Sequence, residues 1–366
     1  THMRGQKRGL RMVAILAMLA VTAAIAFLLP LTGWLEPLEP RTPGQCVRLA
    51  GPVGAEDFAV DWERRRAYVS SADRHAVETG GRPRGDIFLL DFSTDTPSLT
   101  PLNVGRDENF FPHGLDLFID FTGNRRLFVI DHGADGRDHS VKVFDIGEDG
   151  RLTLARTFRS TALTSPNDIV AVSSEQFYVT NDPFDDSAWR RLAATYLALP
   201  LNTVVYHDGR TTRVAADGLR FANGITRSPD GQWLLVGESV GRSVAVYRRN
   251  PFTGELIRQG DIPVPMATDN LVLQPDGTVV AAGHPRPLAF ESYARAPDQR
   301  RAPSMALRLD PAALPYPAPE TPLPLPFVDD GSLFSASSVA MVDPRGRLFV
   351  GSVYERGVLM CLGASR

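Results

Sequence analysis

A turn rich in Asp, Gly or Pro followed by an apolar strand occurs six times along the 366-residue chain, about every 45 to 70 residues. Between the copies lie further strand-like runs such as GDIFLLDF, HSVKVFDI and RSVAVYRR, so each unit has enough strands for a four-stranded sheet. Repeats of this length are typical of propeller blades rather than helical solenoids. We therefore expect an all-β fold, a six-bladed β-propeller with a central tunnel. The copies are VDWERRRAYVSS from Val60, DFTGNRRLFVIDH from Asp120, VSSEQFYVTND from Val172, SPDGQWLLVGES from Ser228, QPDGTVVAAGH from Gln274 and DPRGRLFVGSV from Asp343.

Two segments depart from this pattern. Residues 311–326 are Pro-rich, which predicts a surface excursion before the sixth blade. Helical patterns are few, and WRRLAATYLAL at residues 189–199 is the strongest of them. Neither segment changes the expected number of blades.

The N-terminal segment has the composition of a membrane anchor. Residues 12–35 are apolar, carry no charged side chain and are long enough to span a bilayer of about 30 Å. The basic residues before them predict that the N-terminus stays in the cytoplasm and that the rest of the chain is exported to the periplasmic or extracellular side. No A-x-A cleavage site precedes Glu36, which favours an uncleaved anchor over a removed signal peptide; a cleaved chain would be secreted.

These features divide the chain into four parts. Thr1 and His2 are interpreted as residues left by cloning, and the basic flank that starts at Met3 ends at residue 11. Residues 12–35 are the predicted transmembrane or signal-anchor helix. Residues 36–45 are a linker, and residues 46–366 are the predicted propeller.

The charge of the chain excludes one class of partner. The formal net charge is -3, which provides no basic field for nucleic acid. Lysine occurs only as Lys7 and Lys142, and such scarcity often accompanies GC-rich bacterial genomes. We expect a bacterial protein that binds no nucleic acid.

The two cysteines lie near the ends of the predicted propeller, Cys46 at its start and Cys361 close to the C-terminus. In an exported protein, a bond between them would tie the first folded segment to the last and close a ring. Closing a loop of this length would stabilise the fold by up to about 5 kcal/mol in the chain-entropy model. The alternative is two unpaired thiols.

A polar element precedes each apolar strand of the repeat by about ten to fifteen residues. Equivalent positions of a cyclic array face a common axis, so we expect these elements to converge in the tunnel. In SPNDIVAV, Asn167 and Asp168 begin a strand predicted to be buried, although both types are depleted in strands and a buried carboxylate needs a partner. Period-two alternation would turn these neighbours to opposite sides. The elements are Glu56 with Asp57, His113, Asn167 with Asp168, Asn223, Asp269 with Asn270, and Ser337 with Ser338.

The chemistry of these side chains predicts a bound cation. Four carboxylates brought together without one would repel each other strongly. Carboxylate and amide oxygens of mixed charge suit calcium, and the absence of cysteine argues against zinc or copper. The alternative for each residue is an Asx turn or a strand-end cap. His113 falls at a tunnel-facing position, whereas His132 and His284 end strands, and a purely structural role for His284 is equally expected.

At these residues the sequence resembles the paraoxonase (serum paraoxonase/arylesterase) family of calcium-dependent lactonases. The resemblance covers nearly the whole exported part, with several motifs in the same order. It implies a six-bladed propeller with two calcium ions in its tunnel, an N-terminal hydrophobic segment that stays attached, and a disulfide between Cys46 and Cys361. The motifs are AED (55–57), PHG (112–114), NDIVAV (167–172), YVTND (178–182), FANGI and SPDG (within 221–231), DN (269–270) and GHP (283–285), with both cysteines.

Carried over by position, the resemblance implies two ion sites and a histidine pair. His113 would act on the attacking water with His132 behind it, and Phe221 and His284 would line the substrate pocket. The implied ligands are Glu56, Asn167, Asn223, Asp269 and Asn270 for the catalytic calcium, and Asp57, Asp168 and the backbone carbonyl of Leu115 for the structural calcium.

The implied activity is that of a calcium-dependent lactonase and arylesterase, a carboxylic ester hydrolase in which the metal polarises the carbonyl and His113 activates water. Acyl-homoserine lactones are one candidate substrate class, which would make the protein quorum-quenching, and aryl esters and phosphotriesters are expected side substrates. The partners are a small lactone or ester and the membrane. The match is loose after Ser71 and in residues 184–201 and 288–326, so the preferred substrate stays open. Two alternatives remain: a non-catalytic, calcium-stabilised propeller that displays a binding surface, and a gluconolactonase-like or strictosidine-synthase-like propeller enzyme.

Overall fold

The structure, a computed structural model, describes residues 2–78, 80–81, 85–104, 110–133, 136–183, 188–310 and 326–363. The predicted Pro-rich excursion at residues 311–326 therefore lies outside the described residues, except for its last residue. The helix predicted at residues 189–199 is present as α3, which spans Ala188–Tyr196.

Six four-stranded antiparallel sheets, called blades 1 to 6, follow one another along the described chain. In blades 1 to 5 the strands pair in sequence order, whereas blade 6 combines the last three strands with the first. The strands are β2 Ala55–Asp61, β3 Arg66–Ala72, β4 Gly85–Asp91 and β5 Ser98–Pro101 in blade 1; β6 Pro112–Ile119, β7 Arg125–Asp131, β8 Ser140–Ile146 and β9 Leu152–Phe158 in blade 2; β10 Pro166–Ala171, β11 Phe177–Asn181, β12 Asn202–His207 and β13 Thr212–Leu219 in blade 3; β14 Ala222–Arg227, β15 Trp233–Glu238, β16 Ser243–Arg249 and β17 Leu256–Pro263 in blade 4; β18 Ala267–Leu273, β19 Val279–His284, β20 Ser304–Leu309 and β21 Phe327–Asp329 in blade 5; and β22 Ser337–Val342, β23 Leu348–Ser352, β24 Arg356–Cys361 and β1 Cys46–Val53 in blade 6. The helices are α1 His2–Leu31, α2 Arg74–Glu78, α3 Ala188–Tyr196 and α4 Pro287–Ala294.

Each copy of the predicted repeat forms the hairpin between the first and second strands of a blade. In blade 4 the turn SPDG begins at Ser228, whose N–H donates to the carbonyl of Trp233 and whose carbonyl accepts from the N–H of Gly231. Asp and Gly favour such turns because they tolerate the required backbone angles. The predicted six-bladed β-propeller is confirmed.

The first strand of each blade lies at the centre of the ring. All six residues of β10 are buried, whereas β9, β13 and β17, the last strands of their blades, are largely exposed. Apolar side chains of neighbouring blades pack together, as Val170 and Tyr178 of blade 3 do with Ile225 and Leu234 of blade 4. A polar residue at the start of a first strand is therefore inside the ring and needs a partner.

The two ends of the propeller meet in blade 6. Strand β1 pairs antiparallel with β24, so the first strand of the chain completes the last sheet. Cys46 lies opposite Cys361 in this pair, and the two form a disulfide. The expected bond is present, and the alternative of two unpaired thiols is wrong.

An apolar helix, α1, precedes the propeller. Its segment Arg11–Leu31 has 21 residues and a mean hydropathy of 2.7, and none of it is buried. Length and composition fit either a signal sequence or a membrane anchor. The end of the helix is tied to blade 4, because Arg242 donates to the carbonyl of Pro30 and to the carboxylate of Glu36.

Candidate active site

Every first strand is interrupted by a β-bulge near its start. In blade 3, Pro166 pairs with Asn181 and Ile169 with Val179, so two residues of the first strand face one residue of the second. Bulges are frequent next to active sites, where they re-aim side chains. Blades 1, 2, 4 and 5 have the same offset, and blade 6 has a register shift at the same place. The bulged residues are Glu56 and Asp57, His113 and Gly114, Asn167 and Asp168, Asn223 and Gly224, Asp269 and Asn270, and Ser338.

The bulge changes the interpretation of SPNDIVAV. Regular alternation requires Asn167 and Asp168 to occupy consecutive pleat positions, but both lie within the bulge of blade 3. Their side chains still diverge, since Asn167 donates to Asp182 and Asp168 accepts from the backbone of Ile225 in blade 4. The bulge, rather than the pleat, gives these neighbours different surroundings.

Two glycines allow neighbouring first strands to approach closely at the bulges. A Cβ atom at Gly114 would lie 2.5 Å from the Cα of Asp168 and 2.6 Å from the carbonyl oxygen of Asn167. A Cβ atom at Gly224 would lie 2.6 Å from the Cα of Asn270. Since these neighbours are backbone atoms that cannot move aside, the motifs PHG and NGI require glycine where the first strands meet.

Four side-chain oxygens in the bulges are buried and accept no hydrogen bond from the described residues. They belong to four different blades. Leaving a buried polar atom unpaired costs about 1–3 kcal/mol, so four such oxygens in the bulges need an explanation. All four are acceptors, which is the arrangement that a bound cation would complete. They are Glu56 Oε2, Asn167 Oδ1, Asn223 Oδ1 and Asn270 Oδ1.

The amide nitrogens of the three asparagines are already engaged. An amide has a donor side and an acceptor side, so a partner for the nitrogen also fixes the direction of the oxygen. Neighbouring side chains therefore hold each oxygen in place for a ligand. The nitrogens donate from Asn167 to Asp182 (3.2 Å), from Asn223 to Ser239 (3.0 Å) and from Asn270 to Glu56 Oε1 (2.7 Å).

Both carboxylate oxygens of Asp57 and of Asp168 accept hydrogen bonds. One oxygen accepts from the N–H of the following residue, and the other accepts from the first strand of the next blade. Each carboxylate therefore links two blades. Leu115, a predicted ligand through its carbonyl, meets Asp57 through its N–H. The donors are Phe58 and Leu115 for Asp57, at 2.8 and 2.9 Å, and Ile169 and Ile225 for Asp168, at 2.7 Å each.

Burial dominates the electrostatics of these carboxylates. It raises the pKa of Glu56 and of Asp168 well above the usual value and the pKa of Asp57 to about 7, and repulsion among the carboxylates acts in the same direction. Arg74 opposes the shift, with its Nη2 3.9 Å from Glu56 Oε2. Within the part of the chain that the structure describes, no three His, Cys, Asp or Glu side chains form a metal-binding group by themselves. A cation here would therefore depend on the asparagine oxygens as well.

A pair of histidines lies beside Glu56. His113 Nδ1 is 2.8 Å from His132 Nε2, and His113 Nε2 is 3.7 Å from Glu56 Oε1. Burial lowers the pKa of both rings, to about 3 for His132, and the positive charge of Arg74 adds to the effect. Both rings are therefore neutral at pH 7, and His113 Nε2 can accept or donate a proton.

His284 contacts the site through Asp269. Its Nε2 is 3.1 Å from Asp269 Oδ2, and its ring stacks on Phe290 of α4 with centroids 3.9 Å apart. The stacking and the polar contact together fix the orientation of Asp269. The position of His284 thus combines the expected proximity to the site with a structural role.

Phe221 enters the first strand of blade 4 with φ at 63°, in the left-handed region that bulky side chains rarely adopt. Its N–H donates to the side chain of Asn202, and its carbonyl accepts from the N–H of Ser239. Backbone strain of this kind costs about 1–3 kcal/mol and is concentrated at functional sites. Phe221 lies two residues before Asn223, whose amide also contacts Ser239.

Four residues at the site were not predicted from the sequence. Ser239 and Asp182 lie just beyond the second strands of their blades, and although Asp182 belongs to the motif YVTND, no pattern indicates that it orients an amide. Arg74 is the first residue of α2, in the segment after Ser71 where the family motifs give no guide. The fourth is His139, whose Nδ1 is 2.9 Å from His132 Nδ1; the run HGADGRDH is the only signal that a loop could return it to the pair.

Fold and site together define a six-bladed propeller whose bulged first strands carry four buried acceptor oxygens and, beside Glu56, a hydrogen-bonded pair of histidines. The chain belongs to the arylesterase family, whose model matches residues 77–362. The family resemblance inferred from the motifs is confirmed. Family membership makes the protein a hydrolase of small lactones or esters.

Individual relatives support this assignment. The chain is 30% identical over 279 residues to serum paraoxonase/arylesterase 2 of Bos taurus, covering 75% of this chain and 76% of that protein. It is 28% identical over 355 residues to serum paraoxonase/arylesterase 2 of Gallus gallus, covering 95% and 97%. Among solved structures, a gluconolactonase from Xanthomonas campestris has the same fold, with a TM-score of 0.50 and 18% identity over 89% of this chain and 98% of that one.

Proposed function

We propose that this protein is a calcium-dependent lactonase and arylesterase whose reaction centre lies at the bulged ends of the first strands. The four buried oxygens that accept no hydrogen bond carry this proposal, because calcium takes several oxygen ligands of mixed charge in flexible geometry. All four belong to the ligand set expected from the sequence. The proposed ligands are Glu56, Asn167, Asn223, Asp269 and Asn270 for the catalytic ion, and Asp57, Asp168 and the carbonyl of Leu115 for a second, structural ion.

When bound, calcium would polarise the substrate carbonyl and stabilise the oxyanion that follows. The side chains of the protein orient the reactants and move the proton. His113 Nε2 accepts a proton from the attacking water when its Nδ1 donates to His132. Both rings begin the reaction neutral, because burial lowers their pKa. Phe221 and His284 line the substrate pocket.

A hydrolysis panel with and without a chelator tests the proposal. The substrates are aliphatic lactones, acyl-homoserine lactones, aryl esters and phosphotriesters, and the melting temperature is followed in the same samples. We expect lactones to be hydrolysed fastest, activity to disappear with the chelator and return with added calcium, and melting to shift downward on chelation. Activity and melting that ignore the chelator would overturn the metal site, and a protein inactive on the whole panel would fit a non-catalytic binding module.

We also propose that α1 anchors the protein with the propeller on the periplasmic or extracellular side. The supporting observations are the exposed apolar segment Arg11–Leu31, the basic flank before it, and the disulfide between Cys46 and Cys361, which is typical of oxidising compartments. Cell fractionation followed by protease treatment of intact spheroplasts is the test. A propeller that stays protected while a cytoplasmic marker is also protected contradicts this orientation.

A further inference from the structure

Three histidine rings form a hydrogen-bonded chain that begins with His113 at the candidate reaction centre. His113 Nδ1 is 2.8 Å from His132 Nε2, and His132 Nδ1 is 2.9 Å from His139 Nδ1. Successive ring centroids are 5.0 and 4.9 Å apart, with the rings edge to face. His132 therefore has a histidine partner at each of its two nitrogens.

The chemistry of imidazole restricts where the protons of this chain can be. A neutral ring has one N–H donor and one bare acceptor nitrogen. Two hydrogen bonds between three neutral rings are possible only if all the N–H groups point the same way along the chain. In the outward arrangement, His113 and His132 carry their protons on Nδ1 and His139 carries its proton on Nε2. In the inward arrangement, each proton is on the other nitrogen.

The two arrangements give His113 opposite roles. In the outward one, His113 Nε2 is bare and can accept a proton from water. In the inward one, His113 Nε2 carries a proton and can donate it. The outward arrangement becomes the inward one when a proton is gained at His113 Nε2, one proton crosses each of the two hydrogen bonds, and one is lost from His139 Nε2. The state of His139 therefore limits what His113 can do.

The outer end of the chain reaches the surface. His139 is half-buried and lines a cavity of about 510 Å³. The wall of the cavity includes exposed polar residues such as Thr161 and Asp138. Water or a small buffer molecule in this cavity can exchange a proton with His139 without entering the tunnel.

We propose that His139 is the outer member of a three-histidine proton relay and a positioning residue that sets the tautomers of His132 and His113. This inference rests on the proposed function. In the reaction an O–H bond of water breaks, its oxygen bonds to the carbonyl carbon, and the proton goes to His113 Nε2. His113 and His132 each pass on the proton of Nδ1, and His139 releases one from Nε2 into the cavity.

The proton balance of the reaction agrees with such a relay. After the ring C–O bond breaks, the alkoxide oxygen takes up a proton and the new carboxylic acid ionises at neutral pH. Each turnover therefore releases one net proton, which the relay delivers to the surface cavity and not to the substrate side of the tunnel.

Replacing His139 tests the relay through activity. In His139→Gln, kcat for a lactone should fall about 10- to 100-fold, with KM and the calcium concentration needed for activity unchanged. In His139→Ala, imidazole should restore kcat in proportion to its concentration, because it can occupy the vacated volume. Thr161→Val alters the same cavity outside the chain and should keep the wild-type kcat with no response to imidazole. A His139→Gln enzyme with the wild-type kcat overturns the relay.

A measurement independent of activity tests the hydrogen-bonded chain itself. Histidine-selective 15N NMR of the wild-type protein, assigned with single variants, reports which ring nitrogen carries the proton. We expect His113 and His132 to be protonated on the same type of nitrogen to the same extent, and His139 on the opposite type. Different tautomers at His113 and His132 overturn the proposal. If the wild-type protein hydrolyses no lactone or ester, the proposed function fails, and the NMR result alone decides whether the chain exists.

Discussion

Asn167 and Asp168 are joined by one peptide bond, yet their side chains are in opposite states. The amide oxygen of Asn167 is buried and accepts no hydrogen bond from the described residues, whereas both oxygens of Asp168 accept from backbone N–H groups. Blade 1 repeats the contrast, since Glu56 Oε2 accepts no hydrogen bond from the described residues and both oxygens of Asp57 do accept one. One bulge thus carries one unsatisfied and one satisfied side chain.

This contrast separates ligand binding from the assembly of the ring. Asp57 links blade 1 to blade 2, and Asp168 links blade 3 to blade 4. Asp116 makes the intervening link, because it accepts from the N–H of Ala171 in blade 3 at 2.8 Å. The oxygens that accept no hydrogen bond make no such link. The free-energy cost of burying them is explained only if they bind a ligand. We therefore expect substitutions within one bulge to affect different properties.

The largest effect on stability is expected from Asp168→Ala. The change leaves the N–H groups of Ile169 and Ile225 buried without their acceptor, at about 1–3 kcal/mol each. We expect the free energy of unfolding to fall by about 4 kcal/mol, measured by urea denaturation in the presence of a chelator. Asp217→Ala, at an exposed position of β13, is the control and should change it by less than about 0.5 kcal/mol. A loss no larger than that of the control would contradict the role of Asp168 in linking blades.

Gly114→Ala is expected to lower both the stability and the activity of the protein. The new methyl group would overlap the backbone of Asn167 and Asp168, so the first strands of blades 2 and 3 must separate. We expect a loss of about 3 kcal/mol in unfolding free energy together with reduced lactone hydrolysis. Gly260→Ala is a matched control, because a Cβ there meets no atom within 4 Å and its φ is not positive. Equal stability of the two variants would mean that the close approach is not needed.

Asn167→Ala should affect activity more than stability. Removing its oxygen should lower kcat/KM for a lactone about 100-fold, equivalent to about 2.7 kcal/mol. Only the hydrogen bond to Asp182 is lost from the protein, so the unfolding free energy in chelator should change by about 1 kcal/mol. Asn250→Ala, at an exposed turn, should keep the wild-type kcat/KM. If Asn167→Ala and Asp168→Ala lowered both quantities equally, the distinction between the two residues would be lost.

The blades could be predicted because their information is local. Turns such as SPDG at Ser228 and DPRG at Asp343 mark the same hairpin in each blade, and the apolar runs after them form the buried second strands. Six such units favour a closed ring, and Cys46 and Cys361 lie near the two ends of the chain segment that forms it. The pairing of β1 with β24 joins residues 315 positions apart, and the cysteines were its only sequence signal.

The site could be predicted only in part. Repeat position indicated that Glu56, Asn167 and Asn223 would converge, because equivalent strands face one axis. It could not indicate which oxygens would stay unpaired, since that depends on contacts such as those of Asp182 and Ser239 with the amides. The bulges were also missed, because an extra residue in a strand is visible only once the partner strand is known.

The effect of His132→Gln on the free energy of unfolding should depend on pH. Burial lowers the pKa of His132 to about 3, whereas an unfolded histidine titrates near 6.5. Below pH 6.5 the unfolded chain binds a proton that the folded protein does not, so this residue stabilises less as the pH falls. As the pH falls from 7.5 to 5.5, keeping His132 unprotonated lowers the free energy of unfolding by about 1.4 kcal/mol. His132→Gln should remove this loss.

The direction in which stability changes with pH distinguishes the histidines from the carboxylates of the same site. The pKa of Asp57 is raised to about 7, so in calcium-free protein its stabilising contribution is complete near pH 4 and is lost as the pH rises through 7. The difference in unfolding free energy between His132→Gln and wild type, measured in chelator at both pH values, removes the shared carboxylate contribution. We expect the free energy of unfolding of the variant, relative to that of the wild type, to rise by about 1.4 kcal/mol as the pH falls from 7.5 to 5.5. A pH-independent difference would mean that His132 titrates in the folded protein with the ordinary histidine pKa near 6.5, so that burial does not keep its ring neutral at pH 5.5.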